Sequence, residues 1–76
     1  MAKVVLYTRA GCHLCDDADA ILRRQGLTPQ VVDIDADPEL AARFDTCVPV
    51  VEINGRVRFR GRVNEPLLRR LLDAEG

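Results

Sequence analysis

The sequence predicts an α/β protein of order βαβαββα, in which a four-stranded mixed sheet is flanked by helices and residues 1–76 form one domain. Three observations carry this reading. The apolar run Val4-Val5-Leu6-Tyr7 precedes a helical pattern and a second apolar run, all within about 30 residues, the length of a parallel strand–helix–strand unit. Two more strand-like runs meet at Asn54-Gly55, the dipeptide favoured in a tight type I′ turn. Leu67, Leu68, Leu71 and Leu72 then recur at helical spacing and give one apolar stripe.

Lys3 to Thr8 is the first strand, and its unbroken Val-Val-Leu-Tyr centre indicates burial on both faces. Arg9-Ala10-Gly11 is the turn into a helix that starts at Cys12 or His13 and runs to about Gln25. Leu14, Ala18, Ile21 and Leu22 make its apolar face, while Asp16, Asp17 and Asp19 near its start and Arg23 and Arg24 at its end complement the helix dipole. Gly26 stops it. Gln30 to Asp35 is the second strand, entered at Pro29, with Val31, Val32 and Ile34 apolar. Asp37 caps a short helix that begins at Pro38, a favoured first-turn position, and continues through Leu40 and Phe44. Val48 to Asn54 and Arg56 to Arg60 are the arms of the hairpin, and Asn64 caps the last helix with Pro66 just inside it.

Size and composition narrow the function classes. A chain of 76 residues has a marginal core that buries about 60% of the unfolded surface. With 47% hydrophobic and 30% charged residues and a net charge of −1, it lacks the positive excess that non-specific binding to nucleic acid or an anionic membrane requires. The apolar run near the N-terminus is far shorter than the roughly 18 residues of a membrane span or the roughly 7 to 15 of a signal-peptide core. Three cysteines is an odd count, unlike the paired sets of small secreted domains, so the expected setting is a reducing cytoplasm with the cysteines as working thiols.

Cys12 and Cys15 are separated by two residues at the start of the first helix. Such a pair is either half of a zinc site or a redox dithiol, and its place directly after a buried strand favours the dithiol. Thiol–disulfide exchange needs one accessible thiolate to attack and a second thiol to resolve the mixed disulfide. Cys12 falls at the helix cap, where unpaired N–H groups favour an anion, and is the expected nucleophile; Cys15 lies one turn inside and is the expected resolving thiol. Asp16, Asp17 and Asp19 supply an opposing negative field that Arg9 offsets in part. His13, the sole histidine, is read either as a solvent-exposed residue or as a hydrogen-bond or charge aid to Cys12.

The strand with its Cys-x-x-Cys pair, followed by Val48-Pro49 at the head of the hairpin, resembles the glutaredoxin-like branch of the thioredoxin superfamily over nearly the whole chain. The resemblance implies a thioredoxin-like fold and a thiol–disulfide oxidoreductase that reduces protein or mixed disulfides, with a part in electron transport and cell redox homeostasis. It implies a cis peptide bond between Val48 and Pro49, with the backbone of Val48 pairing with an incoming substrate as an added strand segment. On this reading Arg9, His13, Val48 and Pro49 lie on the substrate side. The partner is a disulfide-containing protein or a small thiol, and the protein is a monomer that requires no cofactor, with glutathione as a candidate reductant. Two departures stand out. Glutaredoxins typically have a proline after the first cysteine and an aromatic before the second, where this chain has His13 and Leu14. Their glutathione site usually includes a Gly-Gly pair and an acidic residue after the last strand, where this chain has Arg60-Gly61-Arg62-Val63-Asn64.

The alternative reading is a metal-binding module, holding zinc or a dimer-bridging iron–sulfur cluster through Cys12, Cys15 and Cys47, with His13 the remaining candidate zinc ligand. Cys47 by itself reads as a small semi-buried apolar residue, or as a third ligand or alternative disulfide partner. Arg56, Arg58, Arg60 and Arg62 alternate with Val57, Phe59 and Gly61, which places the arginines on one side of the hairpin strand. That side is a solvated face that guards an edge strand, or a docking surface for an acidic partner.

Overall fold

The structure, a computed structural model, describes residues 3–45 and 48–75. The strands are β1 (Val4–Thr8), β2 (Gln30–Asp33), β3 (Val50–Ile53) and β4 (Arg56–Arg60), and the helices are α1 (His13–Arg24), α2 (Pro38–Phe44) and α3 (Glu65–Glu75). A single 3₁₀ turn, Ile34–Ala36, lies between β2 and α2. The sheet order is β2-β1-β3-β4, with β1 parallel to β2 and antiparallel to β3, and β3 antiparallel to β4. This is the expected mixed sheet and element order.

Burial explains the arrangement. On one face Val4, Leu6, Val51, Ile53 and Phe59 pack with Ala18 and Leu22 of α1, Leu68 of α3 and Val63 before it. On the other, Ile34, Phe44 and Val50 form a smaller cluster to which Tyr7, Leu40, Val48 and Val57 add. Strand β1 therefore contributes to both faces, as its continuous apolar run requires. Glu65 ties the first turn of α3 to the end of α1: Arg24 Nη2 donates to it at 2.9 Å and Gln25 Nε2 at 2.6 Å. These bonds, Arg24 first, hold its carboxyl below the usual carboxylate value.

Two boundaries and one face assignment differ from expectation, each for a local reason. Strand β2 ends at Asp33, because the Asp33 carboxylate accepts the Asp35 N–H at 2.9 Å and starts the 3₁₀ turn. The hairpin begins at Val50 and not at Val48, because Pro49 has no N–H to give the ladder; the Val48-Pro49 bond is cis, as the resemblance implied. The arginines do not share one side. A register shift between Val51 and Glu52 pairs Glu52 with Val57 but Val51 with Phe59, leaving Arg58 as the extra residue of a bulge. Val57 then joins the smaller cluster and Phe59 the larger, while Arg56 lies opposite Ile53 and Arg60 opposite Val50 on opposite faces. The turn itself is as expected: Asn54 and Gly55 have φ of +52° and +84°, the left-handed pair that a type I′ turn needs.

Leu22 is fully buried and holds α1 on the sheet, whereas Val31 on the outer strand is 51% exposed. Leu22→Ala is expected to cost about 2–5 kcal/mol in urea unfolding. Val31→Ala should cost at most about 0.5 kcal/mol. Equal losses for the two would contradict the assigned core.

Candidate active site

The two cysteines are positioned by a turn and a helix cap. The Cys12 N–H donates to the Arg9 carbonyl at 3.3 Å, closing a four-residue turn whose third residue, Gly11, has φ of +77°. A turn with positive φ at that position suits glycine, because a side chain there is strained. The chain leaves the turn with Cys12 extended, at φ −91° and ψ 106°, as the N-cap of α1. Its Sγ accepts the Cys15 N–H at 3.2 Å and its carbonyl accepts the Asp16 N–H at 3.3 Å. Sulfur thus occupies the place that a serine or aspartate oxygen takes in most caps, and it sits at the positive end of the helix. Both cysteines are free thiols; Cys12 is partly exposed and Cys15 is buried.

Burial separates the two thiols. Cys15 is only 3% exposed. Its pKa is pushed up to about 11, chiefly by burial and next by its hydrogen bond with Cys12; the charges of Cys12 and Asp16 add to the rise, and a hydrogen bond with the Arg9 backbone opposes it. Cys15 still borders an open cleft of about 300 Å³, along with Thr8, Arg9, Asp16, Asp19 and Asp33. Between the cysteines, the His13 side chain is exposed and makes no hydrogen bond among the described residues. Leu14 is 43% exposed and borders a second cleft of about 320 Å³ with Asp17, Ile21, Arg24, Arg62 and Val63.

Arg9 has a part that the sequence did not disclose. Its Nε and Nη2 both bond to the Asp35 carboxylate, at 3.1 Å each, while Nη1 donates to the Asp45 carbonyl at 2.9 Å and Nη2 meets the Asp45 carboxylate at 3.0 Å. All three nitrogens are engaged. The guanidinium therefore joins the turn before Cys12 to the 3₁₀ turn and to the residue after α2. Neither Asp35 nor Asp45 was expected at the site; they are 26 and 36 residues from Arg9, and no local pattern links them.

Pro49 is fully buried, and its carbonyl accepts the Gly61 N–H at 2.8 Å. Val48 is partly exposed, and its backbone makes no hydrogen bond among the described residues. Cys47 lies outside the described residues. Among the described residues, no group of three or more His, Cys, Asp or Glu side chains is placed to hold a metal ion, and no helix is long and apolar enough to cross a membrane.

Comparison with known proteins agrees with this geometry. Residues 3–73 match the family described as Glutaredoxin-like domain (DUF836). A structural genomics target protein, XcR50 from X. campestris, is 33% identical, with a TM-score of 0.81 over 93% of this chain and 96% of that one. Protein Ne2328 from Nitrosomonas europaea is 25% identical, with a TM-score of 0.80 over 92% and 89%. The glutaredoxin grx-1 from Archaeoglobus fulgidus is 26% identical, with a TM-score of 0.68 over 95% and 87%. No curated protein matches the sequence. The fold is thioredoxin-like, as the resemblance implied.

The buried thiol sets a pH dependence. The folded protein holds the Cys15 proton more tightly than the unfolded chain, whose thiol keeps an ordinary value near 9.0. Its stabilising contribution is complete below pH 9.0 and is lost as pH rises through about 11. Peptide-mapped alkylation of the reduced protein should therefore label Cys15 only as pH approaches about 11, with unfolding stability falling over the same interval. Labelling of Cys15 with a midpoint at or below 9.0 would contradict this burial.

Proposed function

Because the chain belongs to the glutaredoxin-like domain family, we propose that it is a cytoplasmic thiol–disulfide oxidoreductase that reduces protein or mixed disulfides. The observation that supports this most is the unequal pair at the head of α1: a partly exposed Cys12 sulfur receiving a backbone N–H, and a buried Cys15 held as a thiol beneath it. An N–H donor at a helix end favours an attacking sulfur anion. In the first step the Cys12 thiolate attacks one sulfur of the substrate disulfide, forming a mixed disulfide and releasing the other sulfur as a thiolate.

Resolution needs the Cys15 proton to leave. The cleft that Cys15 borders admits water, and Asp16, Asp19 and Asp33 line it as acceptors along the way. Once deprotonated, Cys15 attacks Cys12 Sγ, the second substrate thiolate departs, and Cys12 and Cys15 are left as a disulfide. The dithiol has supplied two electrons and, to the two product thiols, two protons. An external thiol, glutathione or the dithiol of a reductase, returns the pair to its reduced form.

The substrate side follows from the same frame. Val48, beside the buried Pro49, offers an extended segment of the substrate a backbone that makes no hydrogen bond among the described residues, and the exposed His13 and Leu14 form the rim between the cysteines. Arg9 acts through its two aspartates as a positioning residue, holding the Cys12 turn against Asp35 and Asp45. A substrate carboxylate reaching Arg9 would share a guanidinium that is already engaged.

Turnover of insulin disulfides and of a mixed glutathione disulfide, assayed with both glutathione and a reductase as donors, tests the reading. Wild-type protein should reduce at least one, and Cys12→Ser should fall to the uncatalysed rate. Arg9→Met should lower kcat by up to about a hundredfold, since small misplacements of reacting groups carry such losses, while the protein stays folded. Full activity in Cys12→Ser, or none in wild type with either donor, would overturn the assignment.

A further inference from the structure

Charge is divided unevenly along the chain. Residues 9–45 contain eight of the twelve carboxylates, whereas residues 56–70 contain six of the eleven cations and a single carboxylate, Glu65, which Arg24 and Gln25 already engage. The positive segment coincides with β4, the outer strand of the sheet, whose far edge pairs with no other strand among the described residues. Arg56, Arg60 and Arg62 are exposed and take part in no ion pair among the described residues.

The bulge decides what this edge can recognise. Without it the arginines would line one face; with it Arg56 and Arg60 flank opposite faces of the strand edge. An extended peptide laid along β4 also presents successive side chains to opposite faces. A run of consecutive acidic residues, and not an alternating acidic and apolar pattern, therefore places a carboxylate near each guanidinium. The outward-facing main chain of β4, which pairs with no further strand among the described residues, gives such a segment hydrogen-bond partners. A nucleic acid has no backbone that can complete that ladder.

The stripe also leads to the thiols. Just past β4, the Gly61 N–H bonds to the Pro49 carbonyl, and Arg62 borders the same cleft as Leu14, the residue next to Cys15. We infer that the outer edge of β4 is a docking surface for an acidic, extended segment of the disulfide-bearing protein substrate, which adds as a fifth strand and leads the disulfide toward Cys12. This rests on the oxidoreductase reading for its purpose but not for its test. The arginines would then do more than guard an open edge; they select the partner by charge and speed its encounter.

The test titrates a cysteine-free peptide containing a run of Glu and Asp into the reduced, isotope-labelled protein, followed by amide chemical shifts. Shift changes should concentrate on residues 56–60 and fade with added salt. Arg56→Glu with Arg60→Glu should weaken binding about tenfold, as two exposed attractions become repulsions. A Lys-rich peptide of equal length should not bind at β4. The double variant should reduce hydroxyethyl disulfide, a small uncharged substrate, at the wild-type rate. No shifts on β4, equal binding by the double variant, or binding of a single-stranded oligonucleotide in preference to the acidic peptide would each overturn the proposal. Failure of the wild type to reduce any disulfide would instead sink the oxidoreductase reading, with peptide binding still deciding the surface.

Discussion

The packing of α1 against the two central strands is the constraint on which the functional end depends. Ala18 and Leu22 are fully buried against the Leu6 and Val51 face of the sheet, so the helix start has one place to be, at the carboxyl end of β1. Cys15, three residues before Ala18 on the same side of the helix, is buried as well. Cys12, one turn earlier, caps the helix at its exposed end. Hydrophobic burial and helix geometry together make two chemically equal residues unequal. Two polar ties hold this frame in register: Glu65 fixes α3 against the end of α1, and Arg9 fixes the turn before Cys12 against Asp35 and Asp45.

The electrostatics at the site oppose one another. Cys12 Sγ sits at the positive end of the helix and accepts the Cys15 N–H, while the carboxylates of Asp16, Asp17 and Asp19 follow within the next two turns. Arg9 answers these carboxylates less than its position suggests, because its guanidinium is spent on Asp35 and Asp45. For Cys15, burial outweighs every other influence, and the negative charges beside it act in the same direction. On the proposed oxidoreductase reading, a Cys15 kept as a thiol by burial leaves the first attack to the more exposed Cys12.

Much of the fold was legible because its signals are local. The Asn54-Gly55 turn was placed to the residue, since few other dipeptides adopt two left-handed conformations, and Asp37, Asn64 and Gly26 bounded their helices by cap chemistry. The cis bond between Val48 and Pro49 was read through family resemblance, and it is present. What failed depended on distant partners or on competition between backbone arrangements. The Asp33 carboxylate captured the Asp35 amide and shortened β2, although Ile34 continued the apolar pattern. The bulge opposite Val51 and Glu52 leaves no mark in the alternation of arginine and apolar residues; it is set by the need to bury Val57 on one face and Phe59 on the other. At the site, the spacing of Cys12 and Cys15 was visible in the sequence, but the aspartates that engage Arg9 come from across the fold.

The chain keeps the dithiol frame of its family while replacing the residues around it: His13 and Leu14 between the cysteines, and arginine and asparagine after the last strand where a Gly-Gly pair and an acid are usual. The thiols are the shared part, and the rim is where this chain differs. The assignment of first attack to Cys12 is tested most directly by trapping. Cys15→Ser protein is mixed with a disulfide substrate, and the mixed disulfide is located by mass spectrometry of its peptides. A single adduct on Cys12 is the expected result. An adduct on Cys47, or no adduct at all, would contradict the roles assigned to the two thiols.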